Sequence, residues 1–155
     1  MKVATMKIQP TDTQDIPALQ ALADAVGLFP GEMLPGMVEP FLAGRDGSRW
    51  LTCREDGAAI GLCYAAQEQL AEGTWNMLAL AVLPERQGRG AGAALVRRME
   101  DDLRGRARIL IVDTSGTPAF RDARHFYRAQ GYEQEARIRD YWAEDDDKVT
   151  FRKAL

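Results

Sequence analysis

The feature that most constrains this chain is a glycine-rich segment between an apolar run and a helical pattern. Residues 74–83 form an apolar run that is typical of a strand buried on both faces. Glycine then occupies positions 88, 90 and 92, and the apolar spacing of 93–104 predicts a helix. Glycine lets a backbone approach a ligand closely, and the first N–H groups of a helix attract anions. The segment therefore predicts a phosphate or diphosphate site, with a plain connecting loop as the alternative.

Two common phosphate-binding loops do not fit this segment. A Walker-type loop ends in Gly-Lys-Ser or Gly-Lys-Thr, whereas Gly92 is followed by two alanines, which excludes a magnesium-nucleotide site of that type. Gly88, Gly90 and Ala93 fit the string of a Rossmann loop, and Asp113 lies about 20 residues further on. However, three predicted strands precede the loop, and too little chain follows it for a dinucleotide-binding pair of βαβ units.

The other segments predict one α/β (α+β) domain, with hairpins early and late and strand–helix–strand crossovers between them. The predicted strands are 2–9, 50–54, 58–68, 74–83, 107–112, 137–142 and 149–152, and the predicted helices are 16–26, 93–104 and 118–130. Thr11 is expected to cap the first helix, with Thr13 as an alternative, and Asp56-Gly57 predicts a hairpin turn. The segment 29–44 holds three prolines and is expected to form at most short helical pieces and to be mobile.

Composition and charge exclude several classes of protein. The 155 residues are 46% apolar and 28% charged, as in soluble globular domains, and no apolar run is long enough to cross a bilayer. The net charge of −3 argues against a general nucleic-acid binder. The first seven residues lack the apolar stretch of a signal peptide, so we expect a cytoplasmic protein without a membrane partner.

Metal chemistry is not expected either. His125 is the single histidine, which excludes a His-rich site. Cys53 and Cys63 lack metal-type spacing and are expected to be reduced core thiols, with a disulfide or a ligand pair as the alternative. The acidic run 144–147 lacks the spacing of a calcium loop and is expected to be a solvated turn.

Two motifs of this chain point to a known family. The first is Gln87-x-x-Gly90-x-Gly92 in the glycine-rich segment, and the second is Ala123-x-x-Phe126-Tyr127-x-x-x-Gly131-Tyr132. The first resembles the acetyl-CoA loop of the GCN5-related N-acetyltransferases, the GNAT superfamily. The second resembles the later helix of that family, which commonly reads Ala-x-x-Phe-Tyr followed by Gly-Phe. The ending Arg139-Asp140-Tyr141-Trp142 with Asp146-Asp147-Lys148 also looks like one bacterial branch of these enzymes. The resemblance covers nearly the whole chain and implies a single GNAT acetyltransferase domain over residues 1–155.

One position departs from the family pattern. Many members carry asparagine seven residues before the tyrosine, where this chain has Phe120. The contact that this asparagine makes is expected to be absent or to be replaced, with Thr114 and Ser115 as the candidates.

The resemblance implies a mixed, mostly antiparallel, twisted sheet of about seven strands with about four helices, splayed at the central parallel strand pair. It implies acetyl-CoA as the co-substrate and no metal. The pantetheine arm is expected to pair with the backbone near Ala81 and Val82, where an N–H group can polarise the thioester carbonyl. Arg86 and Arg89 are expected to add charged contacts to the phosphates. The implied coenzyme-binding residues are Ala81, Val82, Gln87, Gly88, Arg89, Gly90, Ala91, Gly92, Ala93, Thr114 and Tyr127.

The resemblance also implies catalytic roles. Tyr127 stands where the family often has the tyrosine that protonates the departing thiolate, with a core tyrosine as the alternative. Asn76 can position water or acceptor but cannot take a proton. Glu32, in the proline-rich segment, is the predicted general base, with Glu68, Glu72 or a water relay as alternatives. The aromatic residues that could wall the acceptor pocket, or lie in the core, are Trp50, Tyr64, Trp75, Tyr141 and Trp142.

The expected function is transfer of the acetyl group of acetyl-CoA to a primary amine of a small molecule, by direct attack in a ternary complex. One alternative acceptor is a protein N-terminus or lysine. A rival from another class is a CoA-binding regulatory module without turnover. Analogy with the family allows a homodimer.

Overall fold

The computed structural model describes residues 5–155, so the start of the strand predicted at 2–9 lies outside the described residues. The strands are β1 Met6–Pro10, β2 Arg49–Glu55, β3 Ala58–Gln67, β4 Thr74–Val82, β5 Ile109–Ser115, β6 Glu133–Ala143 and β7 Asp146–Ala154. The α-helices are α1 Ile16–Val26, α2 Leu34–Leu42, α3 Ala91–Leu103 and α4 Arg121–Ala129. Single 3₁₀ turns occupy Thr13–Asp15, Gly31–Met33, Pro84–Arg86 and Pro118–Phe120.

The seven strands form one sheet in the order β1-β2-β3-β4-β5-β7-β6. The pairs β1–β2, β2–β3, β5–β7 and β6–β7 are antiparallel, whereas β4 and β5 run parallel. This arrangement confirms the predicted mixed, mostly antiparallel sheet with a central parallel pair. Across residues 5–155, no helix is both long and apolar enough to span a bilayer.

The contacts of the chain divide it into two compact units. Unit 1 comprises the described residues up to Ala66 together with Ala79–Asp102, and unit 2 comprises Gln67–Leu78 together with Leu103–Leu155. The single domain over residues 1–155 stays a prediction.

The core of unit 1 packs the first two helices against the sheet. Its fully buried members are Leu19 and Leu22 of α1, Leu34 and Val38 of α2, and Trp50 and Leu62 of the sheet. These helix residues recur at a spacing of three or four, which places them on one face of each helix. The helix α1 ends as predicted at Gly27, whose φ of +66° a β-carbon would strain.

The predicted cap of the first helical segment is wrong. Asp12, and neither Thr11 nor Thr13, accepts the hydrogen bond from Gln14 N at 2.9 Å, while Asp12 N donates to Asp15 Oδ2 at 3.0 Å. This reciprocal pair is a capping box with aspartate in both roles. Thr11 is committed elsewhere, because its hydroxyl shares a 2.8 Å hydrogen bond with the hydroxyl of Thr52 on β2.

The proline-rich segment 29–44 forms short helical pieces, as predicted, but it also supplies two residues to the core. Pro35 lies in the first turn of α2, where a missing N–H costs no hydrogen bond. Leu34 and Val38 are fully buried, so the segment is packed against unit 1. Its predicted mobility stays a prediction.

Two glycines of this segment give a matched pair of stability predictions. A β-carbon at Gly31 would lie 2.5 Å from Gln20 O and 2.7 Å from an Asp24 carboxylate oxygen, whereas one at Gly36 would meet nothing within 4 Å. We expect Gly31→Ala to lower the free energy of unfolding by about 2 kcal/mol through overpacking. We expect Gly36→Ala to raise it by about 0.5 kcal/mol, because alanine favours the helix. Urea unfolding of both variants checks this, and equal effects would contradict it.

Several element boundaries differ from the predictions. The helix α3 begins at Ala91 rather than at residue 93, so Gly92 lies inside the helix. The strand β5 runs to Ser115 rather than to residue 112, and β6 and β7 are both longer than predicted. Helix 118–130 is a 3₁₀ turn followed by α4. The Asp56-Gly57 turn is confirmed, since both residues have the positive φ that this hairpin requires.

Candidate functional site

The glycine-rich segment of unit 1 forms a loop that leads directly into α3. Gly88 and Gly90 have φ of +80° and +90°, a conformation that side chains with a β-carbon rarely adopt. Ala94 N donates to Gly90 O at 3.0 Å, and this bond begins the helical ladder. The N–H groups of Ala91, Gly92 and Ala93 therefore precede that ladder, at the positive end of the helix dipole. This arrangement can hold an anion.

The side chain of Gln87 links the loop to the end of β4 within unit 1. Its side-chain Nε2 donates to Val82 O at 3.0 Å, and Leu83 N donates to Ile60 O at 2.8 Å. The end of β4 is thereby fixed to the loop on one side and to β3 on the other. The sequence predicts that Gln87 contacts the coenzyme. In the structure its side chain donates to the Val82 carbonyl, and its contact with the coenzyme stays a prediction. Ala81 and Val82 are both buried at the end of β4.

The two arginines predicted to contact phosphate both face a carboxylate. Arg86 forms an ion pair with Glu55 of β2, and Arg89 Nη1 lies 3.4 Å from the same Glu55 oxygen. The Glu55 side chain is 6% exposed, so a cation beside it offsets the cost of burying its charge. The side chain of Arg89 is more than half exposed and its contact is the longer one. The sequence did not indicate a role for Glu55, because no short-range sequence pattern relates β2 to a loop more than 30 residues away.

Tyr127 of unit 2 is buried on α4 among aromatic rings. Its ring stacks on Phe126 with centroids 5.4 Å apart, meets Tyr132 edge-on at 6.2 Å, and lies 5.8 Å from Phe151 of β7. The ring of Tyr127 is thus packed against three other aromatic rings. The role of Tyr127 as the acid stays a prediction.

The ladder between the parallel strands β4 and β5 is only three residue pairs long within unit 2. The ladder joins Thr74–Asn76 of β4 to Ile109–Ile111 of β5, and in the described chain Met77 and Leu78 have no ladder partner on β5. Leu78 is 52% exposed, whereas its neighbours Met77 and Ala79 are buried. Successive strand residues point to opposite faces, so Asn76 shares the open face with Leu78. The predicted splay at this pair is thereby observed on the side of unit 2.

Asn76 brings two carboxylates together where the ladder ends. Its Nδ2 lies 2.9 Å from Glu68 Oε1 and 3.4 Å from Asp113 Oδ2. Asp113 Oδ1 also accepts a hydrogen bond from Thr150 Oγ1 at 2.6 Å, and Lys148 Nζ lies 3.9 Å from Oδ2. Sequence reasoning named Asn76 and, as an alternative, Glu68. It assigned Asp113 no role here, because only the pairing of β4, β5 and β7 brings these residues together.

Several hydrogen bonds surround Phe120, the position that departs from the family pattern, and whether Thr114 or Ser115 replaces the missing asparagine stays a prediction. Phe120 is exposed, and Arg124 Nη1 donates to Ser115 O and to Thr117 O at 2.8 Å each. The Ser115 hydroxyl donates to Asp146 Oδ1 at 2.5 Å and accepts from Thr117 N at 3.0 Å. Thr114 is buried, and its carbonyl accepts from Trp142 Nε1 at 3.3 Å. Ser115 and Arg124 together hold the turn that precedes α4.

The other candidate residues named from the sequence differ in how far they are exposed to solvent. Glu32 is exposed on the 3₁₀ turn of unit 1, and His125 is exposed on α4. Trp50 and Tyr64 stack at 4.2 Å in unit 1, where burial, and then the charge of Asp46, raises the pKa of Tyr64. Trp75 is buried, whereas Tyr141 and Trp142 are about half exposed.

The acidic turn is shorter than predicted. Asp146 and Asp147 belong to β7, and Asp147 accepts hydrogen bonds from Asp140 N at 3.0 Å and Arg137 Nε at 2.6 Å. These two donors lower the pKa of Asp147. Among residues 5–155, no group of three or more His, Cys, Asp or Glu side chains could hold a metal ion.

The two cysteines are free and buried, as predicted. Burial raises the pKa of the Cys63 thiol far above its usual range. Burial, and then the charge of Glu55, raises that of Cys53. Both thiols are fully buried in the folded chain.

The model of the acetyltransferase (GNAT) family matches residues 20–132, which is more than half of the chain. The chain therefore belongs to the GNAT family of acetyltransferases, and the resemblance found in its motifs is confirmed. It is an acetyl-CoA-dependent transferase by that membership. No curated protein matches the chain in sequence.

Several solved structures share the fold of this chain. The chain is similar to a protein assigned to the GNAT family from Desulfovibrio desulfuricans, with a TM-score of 0.87, 25% identity, and coverage of 98% of this chain and 99% of that one. The ribosomal-protein-alanine N-acetyltransferase from Brucella melitensis has a TM-score of 0.81, 22% identity, and 96% and 99% coverage. An aminoglycoside 6′-N-acetyltransferase complexed with coenzyme A has a TM-score of 0.79, 16% identity, and 96% coverage of both chains.

Proposed function

We propose that this chain transfers the acetyl group of acetyl-CoA to a primary amine of a small molecule by direct attack in a ternary complex. The observation that carries the proposal is the loop of unit 1, in which Gly88 and Gly90 adopt positive φ immediately before α3. A helix start preceded by such glycines can surround a diphosphate with N–H donors, and acetyl-CoA carries a diphosphate.

The coenzyme contacts follow from this placement. The N–H groups of Gly88 to Ala93 would bind the diphosphate, and Arg89 would reach it by leaving its long contact with Glu55. The backbone of Ala81 and Val82 would pair with the pantetheine arm, although the Val82 carbonyl already accepts from Gln87. Thr114 and Tyr127 complete the proposed set.

The proposed chemistry needs a proton acceptor for the amine and a proton donor for the thiolate. Tyr127 is the proposed donor, because it matches the tyrosine of the family motif and its ring is buried on α4 against Phe126 and Tyr132. Glu32, the proton acceptor predicted from the sequence, is an exposed carboxylate of unit 1. Asn76 is proposed to position water or the amine.

A coenzyme-release assay tests the proposal and separates the acceptor classes. Purified protein, acetyl-CoA and a thiol-detecting dye are combined with amino acids, polyamines, aminoglycosides and short peptides with free N-termini. The buried thiols of Cys53 and Cys63 leave little background in the folded protein. Release with a small amine supports the proposal, and release with peptides alone moves the function to protein acetylation. Binding of acetyl-CoA without release in any arm indicates a non-catalytic coenzyme binder.

A further inference from the structure

We propose that Glu68 is the residue that takes the proton from the acceptor amine, and that Asn76 is the positioning residue that holds Glu68 for this step. This inference rests on the proposed function, and it assigns the general base of that reaction to a residue of unit 2.

The first support is the clamp that Asn76 forms. The Asn76 side chain is buried, with the residue 7% exposed, and its Nδ2 is shared between Glu68 Oε1 at 2.9 Å and Asp113 Oδ2 at 3.4 Å. A primary amide nitrogen has two N–H donors, so Nδ2 can donate to two carboxylates at once. An apolar residue at position 76 would leave the same two carboxylates close together with no donor between them.

The second support is the difference between the two carboxylates. Asp113 has both oxygens engaged, Oδ1 by Thr150 and Oδ2 by Asn76, with Lys148 Nζ 3.9 Å from Oδ2. Donor groups therefore already lie against both oxygens of Asp113. In the described chain the Glu68 carboxylate is bonded through Oε1 to Asn76, and its second oxygen stays available. Asp113 therefore anchors the clamp, and Glu68 is the member that can accept a proton.

The third support is the position of Glu68 in unit 2. Its backbone N–H donates to Thr74 O at 2.8 Å, which closes the turn between β3 and β4, while its side chain is only partly buried. The ladder between β4 and β5 ends at Asn76, and Leu78, the next residue on the same face, is 52% exposed. Glu68 is therefore the partly exposed member of a clamp whose amide is buried, and an amine from solvent can reach its carboxylate.

The proton transfers balance as follows. An ammonium acceptor loses one proton to Glu68, which passes it to water, and the freed nitrogen lone pair attacks the thioester carbonyl carbon. A C–N bond forms and the C–S bond breaks. The thiolate takes the Tyr127 phenol proton, and the phenolate recovers the second proton that the nitrogen gives up. The products are an amide, the free thiol and one proton in solution.

Four variants test the assignment: Glu68→Gln, Asn76→Ala, Glu72→Gln and Glu32→Gln. Glu72→Gln is the matched control, because Glu72 is an exposed carboxylate in the same β3–β4 turn and contacts Arg108 through its backbone carbonyl. Each variant is assayed with two acceptors of the same skeleton: an alkylamine, and an alkoxyamine that is already neutral at the assay pH. Binding of acetyl-CoA is measured by titration in parallel.

We expect Glu68→Gln to lower kcat/KM for the alkylamine about 100-fold, and for the neutral alkoxyamine by less than about 5-fold, because only the alkylamine must lose a proton first. Asn76→Ala should show the same selectivity with a loss of about 10-fold. Glu72→Gln should stay at the wild-type level, and the acetyl-CoA affinity of all four variants should not change. Glu32→Gln removes the rival base, and it should show no selective loss with the alkylamine.

Equal losses with both acceptors in Glu68→Gln would overturn the assignment, because a damaged fold or acceptor site does not sense acceptor basicity. A selective loss in Glu32→Gln with a normal Glu68→Gln would return the role to Glu32. Failure of the proposed function itself is visible separately, since wild-type protein would then release no coenzyme with either acceptor, and the inference would fall with it.

Discussion

Replacing Gly90 by glutamate should weaken acetyl-CoA binding by about 100-fold, or about 2.7 kcal/mol of binding free energy. Gly90 has a φ of +90°, and its carbonyl accepts the first bond of the α3 ladder. A carboxylate there would stand among the N–H groups that are proposed to bind diphosphate, and it would repel the phosphates. Isothermal titration with acetyl-CoA measures the change.

Gly90→Ala is the control that separates charge from backbone strain. A β-carbon at this position would meet no atom within 4 Å, so alanine adds only the cost of a positive φ, about 1 kcal/mol. We expect its acetyl-CoA affinity to fall by less than about 10-fold. If glutamate and alanine weakened binding equally, or if glutamate had no effect, the diphosphate would not lie at this helix start.

Replacing Tyr127 by phenylalanine should lower kcat by about 100-fold or more while acetyl-CoA binding stays close to wild type, because general acid catalysis contributes at least that factor. The ring contacts with Phe126, Tyr132 and Phe151 survive the change, since phenylalanine keeps the ring. Steady-state kinetics together with coenzyme titration measure the two effects.

Tyr132→Phe is the matched control for this prediction. Tyr132 is also buried, lies edge-on against Tyr127 in unit 2, and loses the same hydroxyl group in this variant. We expect it to keep kcat within about 3-fold of wild type. Similar losses in both variants would show that the aromatic cluster needs its hydroxyls for packing, and Tyr127 would then not be the acid.

The parts of the fold that depend on short stretches of sequence could be predicted. The Asp56-Gly57 turn, the end of α1 at Gly27 and the loop at Gly88–Gly90 all rest on the backbone freedom of particular residues. The order of strands and helices followed from apolar periodicity, which is also local. The start of α3 was placed two residues late, because glycine at position 92 weakens a helix but does not prevent one.

The contacts that give the candidate site its chemistry could not be predicted in the same way. Glu68 and Asn76 are eight residues apart, and Asp113 lies 37 residues beyond Asn76. Their meeting depends on the register of β4, β5 and β7, which no local pattern encodes. The pairing of Glu55 with Arg86 and Arg89 likewise joins the end of β2 to a loop more than 30 residues away.

The most direct test of the central claim is to follow the acetyl group itself. The protein is incubated with acetyl-CoA that carries a heavy-isotope acetyl group and with the best acceptor found in the release assay, and both products are identified by mass spectrometry. Acetyl transfer predicts one labelled amide on the acceptor for each coenzyme thiol released, in wild type and not in Gly90→Glu. Label that stays on the coenzyme, or appears as free acetate whether or not the amine is present, would contradict the account.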